Sequence, residues 1–260
     1  MLTTSRCAAA GYSGGRAMRS CYTFPMNIQI LHEDNHVIAV QKPHGMLVQA
    51  DDTGDGTLIN EVRYFLKQRE GQPGNVFLGL IHRLDRPVGG VVVFGKTSKG
   101  SARLCEQFRT HSVEKMYWAV VESSNIDRSI GDSGIVKQWL VKDEGNNTTK
   151  AFDHDVPGSQ YAETAWTVIK KFDDGRVLIE VRPKTGRSHQ IRVAMQSIGS
   201  PIVGDMKYGA PSAIQLPNGS TALALMARSL SFDQPVTKER ITVTAEPELD
   251  VFTHPSLRGG

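Results

Sequence analysis

Residues 81–94 read IHRLDRPVGGVVVF, a charged loop followed directly by an apolar strand. The segment before the loop, 77–81, is also apolar, so the loop is expected to join two strands. Pro87 fixes its own φ angle and disfavours a helical conformation at the preceding residue, while Gly89 and Gly90 let another backbone approach closely. The stretch therefore predicts a shaped loop at the mouth of a β-sheet.

Short apolar or alternating segments recur from residue 28 to residue 244 and predict a strand-rich fold. Alternation with a period of two is clearest where Val177, Ile179 and Val181 share one face. The predicted strands cover 28–31, 37–41, 77–81, 90–94, 116–121, 164–170, 177–181, 223–232 and 241–244. Many strands and few helices in a non-alternating order favour the α+β class, with a large mixed, mainly antiparallel sheet and a few flanking helices.

Three helices are predicted between the strands. They run from Thr57, as the capping residue, to about residue 69, from about 98 to 110, and from Ser188, as the capping residue, to the residue before Gly199. In the second helix we expect the buried stripe to be Ala102, Cys105 and Phe108. The Gly- and Asn-rich segment 145–149 is predicted to be a loop tip.

The composition is that of an ordinary folded protein, with 39% of the 260 residues hydrophobic and 22% charged. No run approaches the roughly 20 apolar residues of a membrane-spanning helix, so no membrane association is expected. The three cysteines, Cys7, Cys21 and Cys105, are far apart and odd in number, which argues against a disulfide framework and a zinc site. We therefore predict a cytoplasmic protein without a bound metal.

Residues 1–25 are rich in Ser, Ala, Gly and Arg and contain no acidic residue. They are predicted to lie outside the fold, as a disordered tail or a non-native extension, and residues 26–260 to form a single domain. An organelle transit peptide is the alternative, because its composition is similar. A monomer is the default expectation.

Charge is distributed unevenly along the rest of the chain. Of the 30 basic residues, Arg6, Arg16 and Arg19 precede residue 25, which leaves 27 basic residues against 27 acidic ones. Segment 81–118 has seven basic and three acidic residues, and segment 182–207 has five and one. A basic footprint divided between two segments suits a polyanion bound at one site, although a solvated charged face would have the same composition.

Each basic segment has residues suited to chemistry. In the first, Asp85 lies between Arg83 and Arg86, and nearby cations favour the ionised carboxylate. The alternative for these residues is an ordinary surface ion network.

The second segment, 182–192, reads RPKTGRSHQIR. There we expect a strand to end and a helix to begin, with its free N–H groups offered to an anion. His189, Arg192 and Gln196 are predicted on the face opposite the buried side of that helix, as phosphate and base contacts or simply as an exposed polar face.

These motifs together resemble the RluA-type pseudouridine synthases. The matching residues are His82-Arg83-Leu84-Asp85-Arg86 with Gly90, Glu114-Lys115-x-Tyr117-x-Ala119, Thr185-Gly186-Arg187-Ser188-His189-Gln190-Ile191-Arg192, Gly204-Asp205, Tyr208-Gly209 and, earlier, Lys42-Pro43-x-Gly45. The resemblance spans about 28–245 and implies a cleft in which a uridine of structured RNA, in tRNA or rRNA, is flipped out and isomerised to pseudouridine without a cofactor.

The resemblance also implies roles for individual residues. Asp85 matches the catalytic aspartate, Tyr117 the tyrosine that stacks on the flipped uracil, and Arg192 the basic residue that pairs with the aspartate within about 4 Å. Arg83 is the candidate to occupy the space that the nucleotide leaves. The residues expected to contact RNA are His82, Arg83, Arg86, Lys184, Arg187, His189 and Gln190.

The sequence departs from the family pattern at two places. Val88-Gly89-Gly90 stands where the family usually has Thr-Ser-Gly, so two hydroxyls that could help to position Asp85 are missing. Ala194 stands where the family often has His. Because about 25 residues precede the matching text, we expect no small basic RNA-binding module of the kind with which many members begin.

Two rival functions stay open. One is an RNA-binding module without catalysis, which has no chemical need for Asp85 facing phosphates. The other is a glycosidase acting on free nucleosides, which would release free uracil. Nucleotide-hydrolase, dehydrogenase and zinc-deaminase functions are disfavoured because the sequence lacks the GxxxxGK[ST], GxGxxG and HxE with PCxxC motifs.

Overall fold

A computed structural model describes residues 28–51, 54–71, 75–122 and 131–253. The predicted N-terminal extension, 1–25, lies outside the described residues. The described helices are α1 (Leu58–Glu70), α2 (Ser98–Arg109) and α3 (Gln190–Ser197). None of the described helices is long and apolar enough to span a membrane.

The strands confirm the predicted α+β class. They are β1 (Ile30–Glu33), β2 (Val37–Lys42), β3 (Gly79–Leu80), β4 (Gly89–Gly95), β5 (Glu114–Val121), β6 (Ser133–Asp143), β7 (Thr148–Phe152), β8 (Gln160–Lys171), β9 (Val177–Pro183), β10 (Ile214–Gln215), β11 (Thr221–Ala222), β12 (Leu225–Asp233) and β13 (Arg240–Thr244). Eleven of them share one sheet in the order β1-β2-β4-β12-β5-β9-β8-β6-β7, with β3 on β4 and β13 on β12; β10 and β11 form a separate pair.

The sheet is antiparallel except where β4 meets β12. This parallel contact pairs only Gly89 and Gly90 with Met226 and Ala227, after which β13 occupies the same edge of β12 from Ser229 onward. The two halves of the sheet therefore diverge beside the end of the loop 81–88.

Two glycines at this junction confirm the predicted close approach. Gly90 has φ +111°, and a Cβ there would lie 2.3 Å from the carbonyl oxygen of Ala227. A Cβ at Gly89 would lie 2.4 Å from the imidazole of His44. Because His44 fills the space under Gly89, the serine that is usual in the family does not fit here unless His44 moves.

Helices α1 and α2 lie where they are predicted, but two details are wrong. Thr57 is the N-cap residue of α1, yet its side chain makes no capping hydrogen bond. In α2 the residues Ala102 and Cys105 are exposed, whereas Leu104 is buried. The third predicted residue, Phe108, is half-buried and packs against the core. The inward face of α2 therefore runs through Ser101, Leu104 and Phe108, with the glycines of β3 and β4 packed against Ser101.

Strands β6 and β7 are absent from the sequence-based prediction. Much of β6 alternates between exposed and half-buried positions, so no apolar run signals it. The predicted loop tip at 145–149 largely coincides with the turn between the two strands, although Thr148 and Thr149 already belong to β7.

A buried lysine at the end of β2, Lys42, connects the loop 81–88 to the loop that follows β2. Lys42 has no exposed surface, and its Nζ donates to the carbonyl oxygens of Pro43, Met46 and Arg86 at 3.0, 2.6 and 3.1 Å. Burial lowers the pKa of Lys42 to about 7, against the opposing effect of the Glu248 and Asp85 carboxylates. The ammonium thus supplies donors to three carbonyl groups from two separate loops.

We expect the free energy of unfolding to rise between about pH 7 and pH 10 because of Lys42. Over that window the unfolded chain still binds the proton, with the usual pKa of 10.5, while the folded chain has released it near pH 7. Lys42→Met should remove this rise and lower stability at pH 9 by about 2 kcal/mol, since the neutral amine present in the folded chain at that pH donates to two of the three buried carbonyl oxygens. Urea unfolding at several pH values measures both effects. The exposed Lys67→Met is the control, and parallel pH profiles for wild type and Lys42→Met would contradict the assignment.

Candidate active site

Two cavities flank the loop 81–88 and share Asp85 as a lining residue. One, of about 720 Å³, also contains Tyr117, Lys115 and Arg187 in its wall. The other, of about 600 Å³, extends towards the 204–207 turn and the end of β6. Both basic segments, 81–118 and 182–207, contribute to the wall of the larger cavity, which confirms that they meet at one place.

Asp85 is the acidic group at this meeting point. Its backbone carbonyl accepts a hydrogen bond from the Val88 amide at 3.0 Å, which closes the turn around Pro87. Its Oδ2 lies 3.5 Å from Nη1 of Arg192 and 3.5 Å from Nε2 of His189, and the side chain is 39% exposed. The predicted proximity of Asp85 and Arg192 is confirmed, although both contacts are longer than a hydrogen bond.

Arg192 has a stronger partner than Asp85. Its Nε and Nη2 donate to the two carboxylate oxygens of Asp205, both at 2.7 Å, and Asp205 is only 1% exposed. The guanidinium also lies 4.8 Å from the ring centre of Tyr208. Asp205 therefore fixes the guanidinium plane, and the remaining nitrogen, Nη1, points at Asp85.

The alternative of a plain exposed polar helix face is wrong for His189 and Arg192, which are buried, whereas Gln196 is exposed. The predicted cap is wrong as well, because α3 begins at Gln190 and its N-cap is His189, not Ser188. His189 has the left-handed backbone conformation, φ +52°, which turns its side chain back towards Asp85. Burial lowers the pKa of His189, and so do Arg192 and Lys207, against the opposing charges of Asp85 and Asp205.

Tyr117 projects from β5 into the larger cavity. Burial, and then the Asp85 carboxylate, raise the pKa of Tyr117 to about 12. The phenol is therefore neutral at physiological pH. It offers an aromatic surface and a hydroxyl that has no hydrogen-bond partner among the described residues.

Comparison with known proteins identifies the scaffold. Residues 36–197 match the family model described as RNA pseudouridylate synthase. The chain belongs to this family. Its resemblance to RluA-type synthases, stated from the motifs, is thereby confirmed.

The relatives of this synthase family member include enzymes of two kinds. tRNA pseudouridine synthase C of Haemophilus influenzae is 33% identical over 232 residues, which cover 84% of this chain and 92% of that protein. Ribosomal large subunit pseudouridine synthase D of Pseudomonas aeruginosa is 31% identical over 231 residues, 83% of this chain and 67% of that protein. Among solved structures, human RNA pseudouridylate synthase domain containing 4 superposes with a TM-score of 0.69 at 25% identity, covering 87% of this chain and 90% of that one. Pseudouridine synthases are isomerases.

The residues predicted to contact RNA fall into two groups in this synthase scaffold. In the first group the side chain is at least partly exposed; Arg83 and Arg187 line the larger cavity, whereas Lys184 lies outside both cavities. Arg83 makes no hydrogen bond or ion pair within the described residues, Arg187 donates through Nε to the Tyr161 carbonyl at 3.2 Å, and Lys184 pairs with Glu163 at 2.5 Å. These three can reach a bound polyanion by rotating their side chains.

In the second group the side chain is committed to the protein. The side-chain amide of Gln190 makes four hydrogen bonds. Its Nε2 donates to Glu163 and Thr164, and its Oε1 accepts from Thr185 and Arg187, which uses all its donors and acceptors. The predicted RNA contact by Gln190 is therefore not supported by this geometry. The side chain instead holds the 185–187 turn against β8.

His82 and Arg86 are engaged in a similar way. His82 accepts the Val93 amide on Nε2 at 3.1 Å and stacks on Phe108, and burial, with Lys115, lowers the pKa of His82 to about 4. His82 is thus a neutral group that accepts a backbone N–H of β4 just beyond the point where the pairing with β3 ends. Arg86 donates to the Gly45 carbonyl at 3.1 Å and pairs with Asp55 at 2.8 Å.

Three functional residues lack an assigned role in the sequence-based prediction. Asp205 and Tyr208 belong to quoted motifs, and that was their only signal. Lys115, also in a motif, donates to the Thr185 carbonyl at 2.8 Å, and burial, with Arg187, lowers the pKa of Lys115 to about 8. All three support the loop and turn that hold the predicted catalytic residues.

Asp205→Asn should lower the free energy of unfolding by about 3 kcal/mol, because Arg192 is left as a buried charge without its bidentate partner. The control is Glu114→Gln, which removes one of two carboxylate partners of Arg240, in an exposed pair of the same 2.7 Å distance, and should cost under about 1 kcal/mol. Urea unfolding of both variants measures the difference. Equal losses would show that Asp205 does not stabilise the buried guanidinium.

Proposed function

We propose that this protein is an RNA pseudouridine synthase that isomerises uridine in structured RNA, tRNA or rRNA, with Asp85 as the catalytic residue. The observation that supports this most is the placement of Asp85 beside Arg192 and on the same cavity as Tyr117, in a chain of the synthase family. The relatives named above act on tRNA or on ribosomal RNA according to their names.

The reaction is an internal exchange of bonds. The bond between N1 of uracil and C1′ breaks, the base turns, and C5 forms a bond with C1′; the proton leaves C5 and N1 gains one. No atom or electron is gained overall, so the chemistry needs only a group that assists at the sugar. In the proposal Asp85 either adds to C1′ or removes a proton from the sugar.

The residues around Asp85 have complementary roles in the proposal. Arg192 and His189 hold the carboxylate in place. Tyr117 stacks on the flipped uracil, and its neutral phenol can donate a hydrogen bond to the turning base. Arg83, free at the rim, fills the gap that the nucleotide leaves in the RNA.

RNA binding is assigned to the basic wall of the cleft. Arg83, Lys115, Arg187 and Arg192 line the larger cavity, while Asp85 is its acidic lining residue within the described part of the chain. Such a wall attracts phosphates and leaves an unstacked base to enter the cavity. Cytoplasmic localisation, a monomeric state, the absence of a cofactor and a single catalytic domain from 26 to 260 remain predictions.

Release of tritium to water from RNA labelled at C5 of uridine tests the reaction, because the C5 proton is lost only when C5 bonds to the sugar. Wild type should release tritium from transcribed tRNA or rRNA, and Asp85→Asn should show none, since the amide is a poor nucleophile and base. Asp153→Asn, an exposed change on the surface, is the control. Release by Asp85→Asn at the wild-type rate would refute the role of Asp85. RNA binding without release by wild type would favour the non-catalytic module, and free uracil would indicate a glycosidase.

Arg187→Ala should weaken RNA binding and reduce the slope of log K against log salt by about 1, because one phosphate contact is lost. Lys67→Ala, an exposed lysine on α1, should change neither quantity. Filter binding at salt concentrations from about 50 to about 300 mM measures the binding constant and its salt dependence for both variants. An unchanged slope in Arg187→Ala would remove this residue from the interface.

A further inference from the structure

A chain of polar contacts, of which the first two are hydrogen bonds, runs from β7 to the loop 81–88. The Thr149 amide donates to Oη of Tyr208 at 2.7 Å, Oη lies 2.8 Å from Nδ1 of His189, and Nε2 of His189 lies 3.5 Å from Oδ2 of Asp85. We infer that His189 is a positioning residue whose Nε2–H holds one oxygen of the Asp85 carboxylate and leaves the other oxygen for the substrate. The inference rests on the proposed function of Asp85.

The direction of the chain follows from its first member. A backbone N–H can only donate, so Tyr208 Oη accepts from Thr149. The hydroxyl keeps one proton of its own, and Nδ1 of His189, 2.8 Å from Oη, is an acceptor at hydrogen-bond distance. If Nδ1 accepts, the single proton of a neutral imidazole is on Nε2, which faces the carboxylate.

The opposite tautomer would be unfavourable. It would place the Nε2 lone pair 3.5 Å from an anionic oxygen and would leave the Tyr208 proton without its acceptor. Protonation on both nitrogens is opposed by burial and by the two cations that face the ring, Arg192 and Lys207, although Asp85 and Asp205 favour it. The neutral Nε2–H form satisfies every contact of the ring.

The backbone around His189 is held in an uncommon conformation for this purpose. His189 is buried with φ +52°, and its neighbours are fixed on both sides. Thr149 Oγ1 donates to the Ser188 carbonyl at 3.1 Å, while Gln190 is anchored through its four hydrogen bonds. A left-handed residue that is not glycine persists only where the surroundings enforce it. Here the result is an imidazole directed at Asp85.

The guanidinium of Arg192 and the imidazole of His189 approach the same oxygen of the Asp85 carboxylate. Nη1 of Arg192 and Nε2 of His189 each make their closest approach to the carboxylate at Oδ2, 3.5 Å away, and no hydrogen bond to Oδ1 is formed within the described residues. The geometry thus separates an anchored oxygen from a reactive one. Since contacts in an empty site often tighten once substrate binds, both 3.5 Å distances are short enough to become hydrogen bonds.

The first experiment determines the tautomer directly. In wild type labelled with ¹⁵N-histidine, long-range ¹H–¹⁵N spectra at pH 7.5 should show His189 as the neutral Nε2–H form, with the signal identified by its loss in His189→Gln. Tyr208→Phe should weaken this preference because Nδ1 loses its donor. Tyr64→Phe, which removes a hydroxyl from an exposed tyrosine on α1, should leave the His189 signals unchanged.

The second experiment measures the effect on the reaction by tritium release. His189→Gln keeps an N–H donor near the position of Nε2, whereas His189→Ala does not. In His189→Ala we expect kcat to fall about 10- to 100-fold, because the Asp85 carboxylate is no longer held in position. In His189→Gln we expect kcat to be largely restored. The KM for RNA should change little in either variant.

The outcomes separate the inference from the proposed function. If wild type is active but His189 has the Nδ1–H tautomer, the inference is overturned and the proposed function stands. The same holds if wild type is active and His189→Ala is as active as His189→Gln. Wild type that releases no tritium but shows the Nε2–H tautomer would refute the function and confirm the His189 donor that faces Asp85.

Discussion

The buried ion pair between Arg192 and Asp205 is the constraint on which the active site depends. Both side chains are almost fully removed from solvent, and an isolated charge at either position would cost several kcal/mol. Helix α3 and the turn that contains Asp205 must therefore keep their relative position in the folded protein. The same turn also contains Tyr208, and α3 begins directly after His189. The Arg192–Asp205 ion pair therefore sets the positions of Arg192, His189 and Tyr208 relative to Asp85.

The junction of β4 and β12 is the second feature that shapes the site. These strands pair over two residue pairs only and then separate, while the Pro87 carbonyl of the loop 81–88 accepts the Leu223 amide at 2.9 Å. The backbone groups exposed by this separation find other partners. His82 binds the Val93 amide, and Lys42 binds the Arg86 carbonyl, so the open region is polar but satisfied. Rigidity around the cleft comes from these side-chain bonds rather than from a continued ladder.

Sequence reasoning located most of the fold and the centre of the site, and its errors have physical causes. Strands with buried faces and helices with clear ends, such as β9 and α2, have local signals. Strand β6 lacks one because most of its residues are at least partly exposed on both faces. The start of α3 was misplaced because the left-handed turn at His189 is imposed by distant contacts. A helical wheel assigns Arg192 to an outer face, and only the tertiary position of Asp205, thirteen residues later, explains its burial.

The role of β7 has a consequence for how this site tolerates sequence change. Thr149 supports Tyr208 through its backbone amide, a group that every residue except proline possesses. Its hydroxyl adds a second bond, to the Ser188 carbonyl, but the first needs no particular side chain. Position 149 can therefore vary among homologues while the support it provides to the imidazole persists. A contact of this kind is invisible to residue-by-residue comparison, and its footprint would be the exclusion of a single amino acid.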